Sequence, residues 1–305
     1  MPTNRPSDTI IPYLKKGDKV AITCPAKKLP IPMTDAVNLL TNWGLEVVLG
    51  DTVNASYHQF AGDDAFRAAD LQRFIDDDSI KAVFCARGGY GTIRMIDLVD
   101  FSRLQTNPKW VVGFSDITLL HSHIIANYNL PCIHGQMPLN IPDATRHSLE
   151  TLRMALFGEE LAYTIAPNPL NRMGECRGTL IGGNLSLLLA TNGSVSDVDY
   201  SGKILFIEDV GEYLYAIDRM LRALKRAGKL KNLSGLIVGG FTDLKDNDIP
   251  FGQTLPQIVM DVVADYSYPV CFDFPAGHVP DNCSLILGTI ADLGVYERKI
   301  NIQFS

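Results

Sequence analysis

Cysteine is scarce and scattered in this chain: six residues in 305, none of them in a Cys-x-x-Cys pair. That excludes the usual zinc-ribbon and dithiol motifs. Because most of Cys24, Cys85, Cys132, Cys176, Cys271 and Cys283 fall in apolar, strand-like contexts, they read as buried reduced thiols and not as a disulfide framework. No apolar run approaches the roughly 18 residues that a membrane span requires. The segment from Met1 to Asp18 is polar and Pro-containing, without the basic-then-apolar order of a secretory signal, so a cytoplasmic protein without membrane contact is expected. An excess of positive charge is also missing. Lys and Arg total 27 against 34 Asp and Glu, a net charge of −7, and the pI is near 5.3. A nucleic-acid partner is excluded on that balance, the Lys/Arg runs being short. Histidines at ligand spacing are lacking too. His121 and His123 stand two apart on a helical pattern and face different ways, and His58, His134 and His147 have no spaced partner, so no metal and no cofactor are expected. Repeats and low-complexity segments are absent.

What remains is a soluble globular composition, 46% hydrophobic and 20% charged, long enough for one large or two ordinary domains. The first half alternates strands (Lys19 to Thr23, Leu45 to Leu49, Ile80 to Cys85, Lys109 to Phe114) with helical patterns (Asp35 to Trp43, Asp64 to Asp76, Thr92 to Val99, and Ser115 to about Tyr128). Strands and helices in that alternation imply a parallel sheet covered on both faces, with sites beyond the carboxyl ends of its strands. From about Pro138 to Gly174 the pattern loosens around one helix, Ser148 to Phe157. Beyond it come a strand at Lys203 to Ile207, a helix at Tyr213 to Ala227 with Tyr213, Ile217, Leu221 and Leu224 as a stripe, and a strand at Leu236 to Phe241. A helix at Leu255 to Ala264 and four short strands follow (Val270 to Phe272, Ser284 to Leu287, Thr289 to Leu293, Lys299 to Phe304). The expected division is an α/β domain over 1–137, a connection over 138–174 and a mixed, more antiparallel domain over 175–305.

Three places carry chemistry. Trp110 to Leu120 takes a buried strand through Gly113 into a helix opened by Ser115 and Asp116. A serine at such a corner has backbone amides at hand for an oxyanion, and it is equally the residue type of a helix N-cap; Ile117 stands where a Gly-x-Ser-x-Gly motif would have its second glycine. Arg87-Gly88-Gly89-Tyr90-Gly91-Thr92 likewise joins a strand to a helix. It suits close approach of amides to an anion, and without a third glycine or a Lys-Ser/Thr it is a poor dinucleotide or P-loop motif. Glu208 and Asp209 leave an apolar strand and need partners, and His278 sits in a Pro/Gly-punctuated loop, Asp273 to Pro280, where a general base can be held. As a set, Ser115, Glu208 and His278 have the chain order nucleophile, acid, histidine.

At this point the chain resembles the LD-carboxypeptidases, the muramoyltetrapeptide carboxypeptidases and the related microcin-immunity peptidases. The resemblance rests on Phe60-Ala61-Gly62 with Arg67 to Leu71, Ala86 to Gly91, Gly113 to Asp116, Gly182-Gly183-Asn184-Leu185, Phe206 to Asp209 and Gly277-His278, in order from Lys19 to Leu293. It implies a flavodoxin-like N-terminal domain joined to a smaller β-rich, swivelling-type C-terminal domain, as a homodimer. It further implies a serine peptidase with Ser115 as nucleophile, His278 as base, Glu208 as its orienting acid and the amides of Gly89 and Asp116 as oxyanion hole. The implied reaction removes the terminal D-alanine of a murein tetrapeptide in peptidoglycan recycling, with Arg87 and Gly88 as candidate substrate contacts. Two rivals are open. A microcin-immunity type would hydrolyse an aminoacyl-nucleotide amide and want an aromatic platform after Gly183, where Asn192 to Tyr200 offers only Tyr200. A non-catalytic two-domain binding protein leaves Ser115 unexplained. One departure is visible: Cys24-Pro25-Ala26-Lys27 replaces the family's frequent Ala-Pro-Ser after the first strand.

Overall fold

The computed structural model describes residues 11–304; the first ten residues of the polar N-terminal segment and Ser305 lie outside the described residues. Five parallel strands form the first sheet: β1 (Lys19–Thr23), β2 (Glu46–Leu49), β3 (Ile80–Cys85), β4 (Trp110–Gly113) and β5 (Cys132–His134), in the order β2-β1-β3-β4-β5. Val20, Ala21 and Ile22 are fully buried, as expected of a strand covered on both faces. The crossovers are α1 (Thr34–Asn42), α2 (Asp64–Asp76), α3 (Thr92–Met95) and α4 (Thr118–Tyr128). The helix expected to run from Thr92 to Val99 ends at Met95 and tightens into a 3-10 turn over Ile96–Leu98. Ile96 and Val99 are the buried residues there, and a three-residue apolar spacing fits a 3-10 turn better than an α-helix. Lys109 is buried against the end of α2, donating to the carbonyls of Phe74, Ile75 and Asp77 at 2.8–2.9 Å, so the orphan carbonyls of that helix end are satisfied by a cation.

The chain continues through α5 (Arg146–Phe157), β6 (Ala162–Ile165), β7 (Gly174–Asn184), α6 (Leu185–Thr191), β8 (Ile204–Val210), α7 (Leu214–Arg226), β9 (Gly235–Thr242), α8 (Leu255–Val262), β10 (Val270–Cys271), β11 (Leu285–Leu287), β12 (Ile290–Val295) and β13 (Ile300–Phe304). The second sheet has the order β10-β9-β8-β7-β12-β13-β6. Its β7 to β10 half is parallel and its β12, β13, β6 half antiparallel. The α7 stripe consists of Ile217, Leu221 and Leu224, all buried; Tyr213 is instead the N-cap residue and exposed. Strand β11 does not join this sheet. It crosses back and pairs antiparallel with β5, extending the first sheet at its edge. The loop from Phe272 to Ser284 therefore leaves one sheet and enters the other. Five cysteines are buried, Cys176 is part-buried, and all six are free thiols. No helix among the described residues is long and apolar enough to cross a membrane.

Candidate active site

Ser115 follows β4 at a left-handed φ of +62°, one of five such non-glycine residues described. A positive φ is costly for a side chain with a Cβ and marks a turn held in place by its surroundings. Gly113 makes this turn possible, because a Cβ there would stand 2.9 Å from two carbons of Ile117. The serine is thus not a helix cap. The N-cap positions of the two helical turns are Phe114 and Ile117, and the Ser115 Oγ lies 3.1 Å from His278 Nε2.

His278 is presented by the loop between β10 and β11. Gly277, at φ +113°, lets that loop lie on Glu208: a Cβ would approach the Glu208 Cβ to 2.7 Å. The loop is fixed by Gly240 N–H donating to the Ala276 carbonyl at 2.8 Å and Gly277 N–H donating to Asn282 Oδ1 at 2.7 Å. The imidazole packs edge-on against Phe114, with centroids 5.0 Å apart. Its Nδ1 lies 2.6 Å from Glu208 Oε2, and the Glu208 side chain is wholly buried while the imidazole keeps 20% of its surface exposed. Burial alone pulls the His278 pKa down; the hydrogen bond and charge of Glu208 outweigh it, and the net direction is upward. Glu208 Oε1 has no partner among the described residues, so the carboxylate is committed to this one imidazole.

Neighbouring Asp209 faces the opposite way and finds its partners at a helix start. It accepts from Asn184 Nδ2 at 2.9 Å, Val210 N–H at 2.9 Å and Ser186 N–H at 3.0 Å, at the start of α6 and not of α7. Burial pushes its pKa up to about 6. Glu212 shows only a backbone role, its carbonyl accepting from Lys245 N–H.

The Gly-rich turn packs directly on Ser115. A Cβ on Gly88 would stand 3.0 Å from Ser115 Cβ, 3.2 Å from Asp116 N and 3.3 Å from Ser115 Oγ. The buried Asp116 carboxylate accepts from Thr92 N–H at 2.9 Å, tying the two strand ends together; burial raises its pKa and the Thr92 hydrogen bonds oppose the rise. Gly89 is exposed, with the Lys27 side chain beside it, its Cδ 2.6 Å from where a Cβ would sit. Arg87 is half-buried and donates to the Lys28 carbonyl at 2.7 Å. A cavity of about 300 Å³ opens beside His278, lined among others by Phe114, Gln136, Asn140, Asp143 and Asp243.

Sequence reasoning leaves Arg67 and Thr118 without a role. Arg67 is fully buried and donates to the carbonyls of Pro25, Gly62 and Gly91, bracing three turns around the site. Thr118 Oγ1 accepts from Asn184 N–H at 3.0 Å. A Cβ on Gly183 would meet that same Oγ1 at 2.5 Å, so Gly183 is what allows α4 of one sheet to rest on β7 of the other. His147, which has no partner at ligand spacing along the chain, lies in space beside Asp281 and Cys283. His121 and His134 are buried, and burial pulls both pKa values down. His123 Nδ1 meets Ser196 Oγ at 3.0 Å.

Residues 20–135 match the family model for the LD-carboxypeptidase N-terminal domain, and residues 177–293 match that for the LD-carboxypeptidase C-terminal domain. The chain is 35% identical to the "Probable murein peptide carboxypeptidase" of Bacillus subtilis, over 95% of this chain and 93% of that one. It is 32% identical to the murein tetrapeptide carboxypeptidase of Pseudomonas aeruginosa, over 90% and 92%. Among solved structures it superposes on the muramoyltetrapeptide carboxypeptidase of Oxalobacter formigenes with a TM-score of 0.86 and 28% identity, covering 94% and 98%. The microcin C7 self-immunity protein, at 20% identity and TM-score 0.85 over 95% and 97%, shares the fold.

Proposed function

The chain belongs to the LD-carboxypeptidase family, and on that premise we propose that it releases the terminal D-alanine of murein tetrapeptides by a serine mechanism in peptidoglycan recycling. The observation that carries this is the unbroken line from Ser115 Oγ to His278 Nε2 (3.1 Å) and from His278 Nδ1 to buried Glu208 Oε2 (2.6 Å). Ser115 Oγ attacks the carbonyl carbon that joins the L-centre of the diamino acid to D-Ala, and His278 Nε2 takes the hydroxyl proton. The amides of Gly89 and Asp116 receive the oxyanion, and Glu208 stabilises the imidazolium. The C–N bond then breaks, His278 passes its proton to the departing D-Ala amine, and an acyl-serine remains. Water, deprotonated by His278, attacks that ester; the serine leaves and regains its proton.

The nucleotide-amide alternative lacks its platform. Tyr200, the one aromatic of Asn192 to Tyr200, is buried at 3% exposure and carries the Lys229 ammonium over its ring, 4.9 Å from the centroid, so it offers no face to adenine. A homodimer and a cytoplasmic location, both implied by the family resemblance, belong to the same proposal. The test is incubation of purified protein with a murein tetrapeptide and mass-spectrometric detection of free D-Ala. Ser115→Ala serves as the blank and the all-L diastereomer as the stereochemical control. Release from both diastereomers at equal rates, or from neither, overturns the assignment.

A further inference from the structure

We propose that His147, Asp281 and Cys283 form a binding site for a borderline-soft divalent cation, zinc by preference, beside the serine site and separate from it. Asp281 and Cys283 lie in the loop that carries His278, and His147 is the second residue of α5. The three meet across more than 130 positions of chain, with ligand atoms all within 4.8 Å of one another.

The two spacings from His147 are those of neighbouring donors in a tetrahedral shell, and the Asp281–Cys283 pair lies within 4.8 Å. Zinc–ligand bonds of roughly 2.0–2.3 Å at tetrahedral angles place neighbouring donors about 3.3 Å apart for a nitrogen–oxygen pair and about 3.6 Å for a nitrogen–sulfur pair. His147 Nδ1 lies 3.2 Å from each Asp281 oxygen and 3.6 Å from Cys283 Sγ. A cation needs little rearrangement to sit among them. The donor set of imidazole, carboxylate and thiol selects zinc or cobalt over magnesium or calcium, which take all-oxygen shells. Solvent reaches the site, since the His147 and Asp281 side chains keep 60% and 38% of their surface, while Cys283 closes it from the buried side. The fourth position falls to water. The carboxylate is already oriented from behind, Thr145 Oγ1 donating to Asp281 Oδ1, the kind of outer contact that tunes metal ligands. On binding, the S–H bond of Cys283 breaks, its proton goes to solvent and the thiolate pair forms the metal–sulfur bond, while His147 shifts to the tautomer protonated at Nε2, freeing the Nδ1 lone pair that faced Asp281 as N–H.

The cation would clasp the His278 loop to α5, where Thr145 N–H and Gln136 Nε2 already donate to the Pro280 carbonyl at 3.2 and 2.9 Å. The site is a brace and takes no part in bond cleavage.

The experiment titrates the full chain with Co²⁺ as an optical probe, then with Zn²⁺ as competitor. Wild type should bind one Co²⁺ with a thiolate-to-metal charge-transfer band and tetrahedral ligand-field bands, both lost to Zn²⁺. Cys283→Ser should abolish the charge-transfer band. His147→Gln, at an exposed position that does not endanger folding, should weaken binding at least ~100-fold, because removing a direct ligand exceeds the 10–100-fold effect of an outer one. Zn²⁺ should raise Tm for wild type and not for His147→Gln. A wild-type titration without the charge-transfer band, or His147→Gln binding as tightly as wild type, overturns the proposal.

Discussion

Gly88→Ala places a single methyl group against the serine, and its effect can be worked from the geometry. The new Cβ would stand 3.0 Å from Ser115 Cβ and 3.3 Å from its Oγ, whereas carbon atoms in contact sit at about 3.5–4.0 Å. One side must retreat by roughly 0.5–1 Å. The retreat falls to Ser115, because Asp116 N, 3.2 Å from the same methyl, closes the other direction. A displacement of ~1 Å at a reacting atom costs about 10²-fold, so kcat/KM for D-Ala release should fall about 10- to 100-fold. Gly88 is not among the left-handed glycines, so the backbone accepts alanine, and overpacking should cost no more than about 1–3 kcal/mol of stability. The assay is initial-rate release of D-Ala, run beside a thermal melt and the rate of labelling by a fluorophosphonate. Activity and labelling should fall together in a protein that still melts cooperatively. A kcat/KM within about twofold of wild type would refute the claim that the Gly-rich turn sets the position of the serine.

Glu208→Gln should lower kcat by about 10³–10⁴-fold, as an amide cannot stabilise the imidazolium. Because His278 must be neutral to accept the serine proton and Glu208 holds its pKa above the ordinary 6.5, the acid limb of kcat/KM should lie above that value in wild type and move to lower pH in Glu208→Gln; an unmoved limb counts against the pair. Asp209→Asn should act on stability, about 1–3 kcal/mol by denaturant titration, since one amide cannot accept all three hydrogen bonds that converge on the carboxylate. The sign with pH follows from burial. A carboxyl raised from 3.8 to about 6 in the folded state binds a proton there that the unfolded chain has released, so wild-type stability should fall between these pH values relative to Asp209→Asn. The Lys27 side chain runs beside Gly89, and a role for its ammonium in meeting the terminal carboxylate of the substrate can be tested. Lys27→Met should lower kcat/KM about 10- to 100-fold, the worth of one charged hydrogen bond, and a C-terminally amidated substrate should erase the difference.

Ser115 and Glu208 stood out in the sequence as polar residues at the ends of apolar strands and His278 as a histidine in a rigid loop, but their joint roles rested on the family resemblance; the structure brings the three within hydrogen-bond distance. The crossing of β11 was not legible: Leu285-Ile286-Leu287 is a three-residue apolar run that fits the edge of either sheet, and only the partner β5, itself three residues long, decides. Strand β6 hid for the same reason, in a connecting region of short Pro-punctuated segments. The role of Asp209 was available and passed over. Adjacent residues of a strand face opposite sides, so two neighbouring carboxylates cannot serve one histidine, and the second must find its donors elsewhere. The His147, Asp281 and Cys283 group has no sequence signal at all, since ligand spacing along the chain is blind to loops that meet in space.

Strand β11 also sets the order in which the enzyme can come into being. The sheet that bears Ser115 receives its edge from residues 285–287, which leave the ribosome some 170 residues after the serine. Until then β5 is an unpaired edge, and the loop that carries His278 lacks the strand that anchors its far end to the sheet of Ser115. A nascent chain that has not yet reached residue 278 therefore carries a serine corner with no base beside it, and peptidase competence has to wait for the segment from His278 through β11. Pairings across so long a stretch of chain close slowly, so cooperative refolding of the whole chain, and not of its first half, should be what restores activity after denaturation.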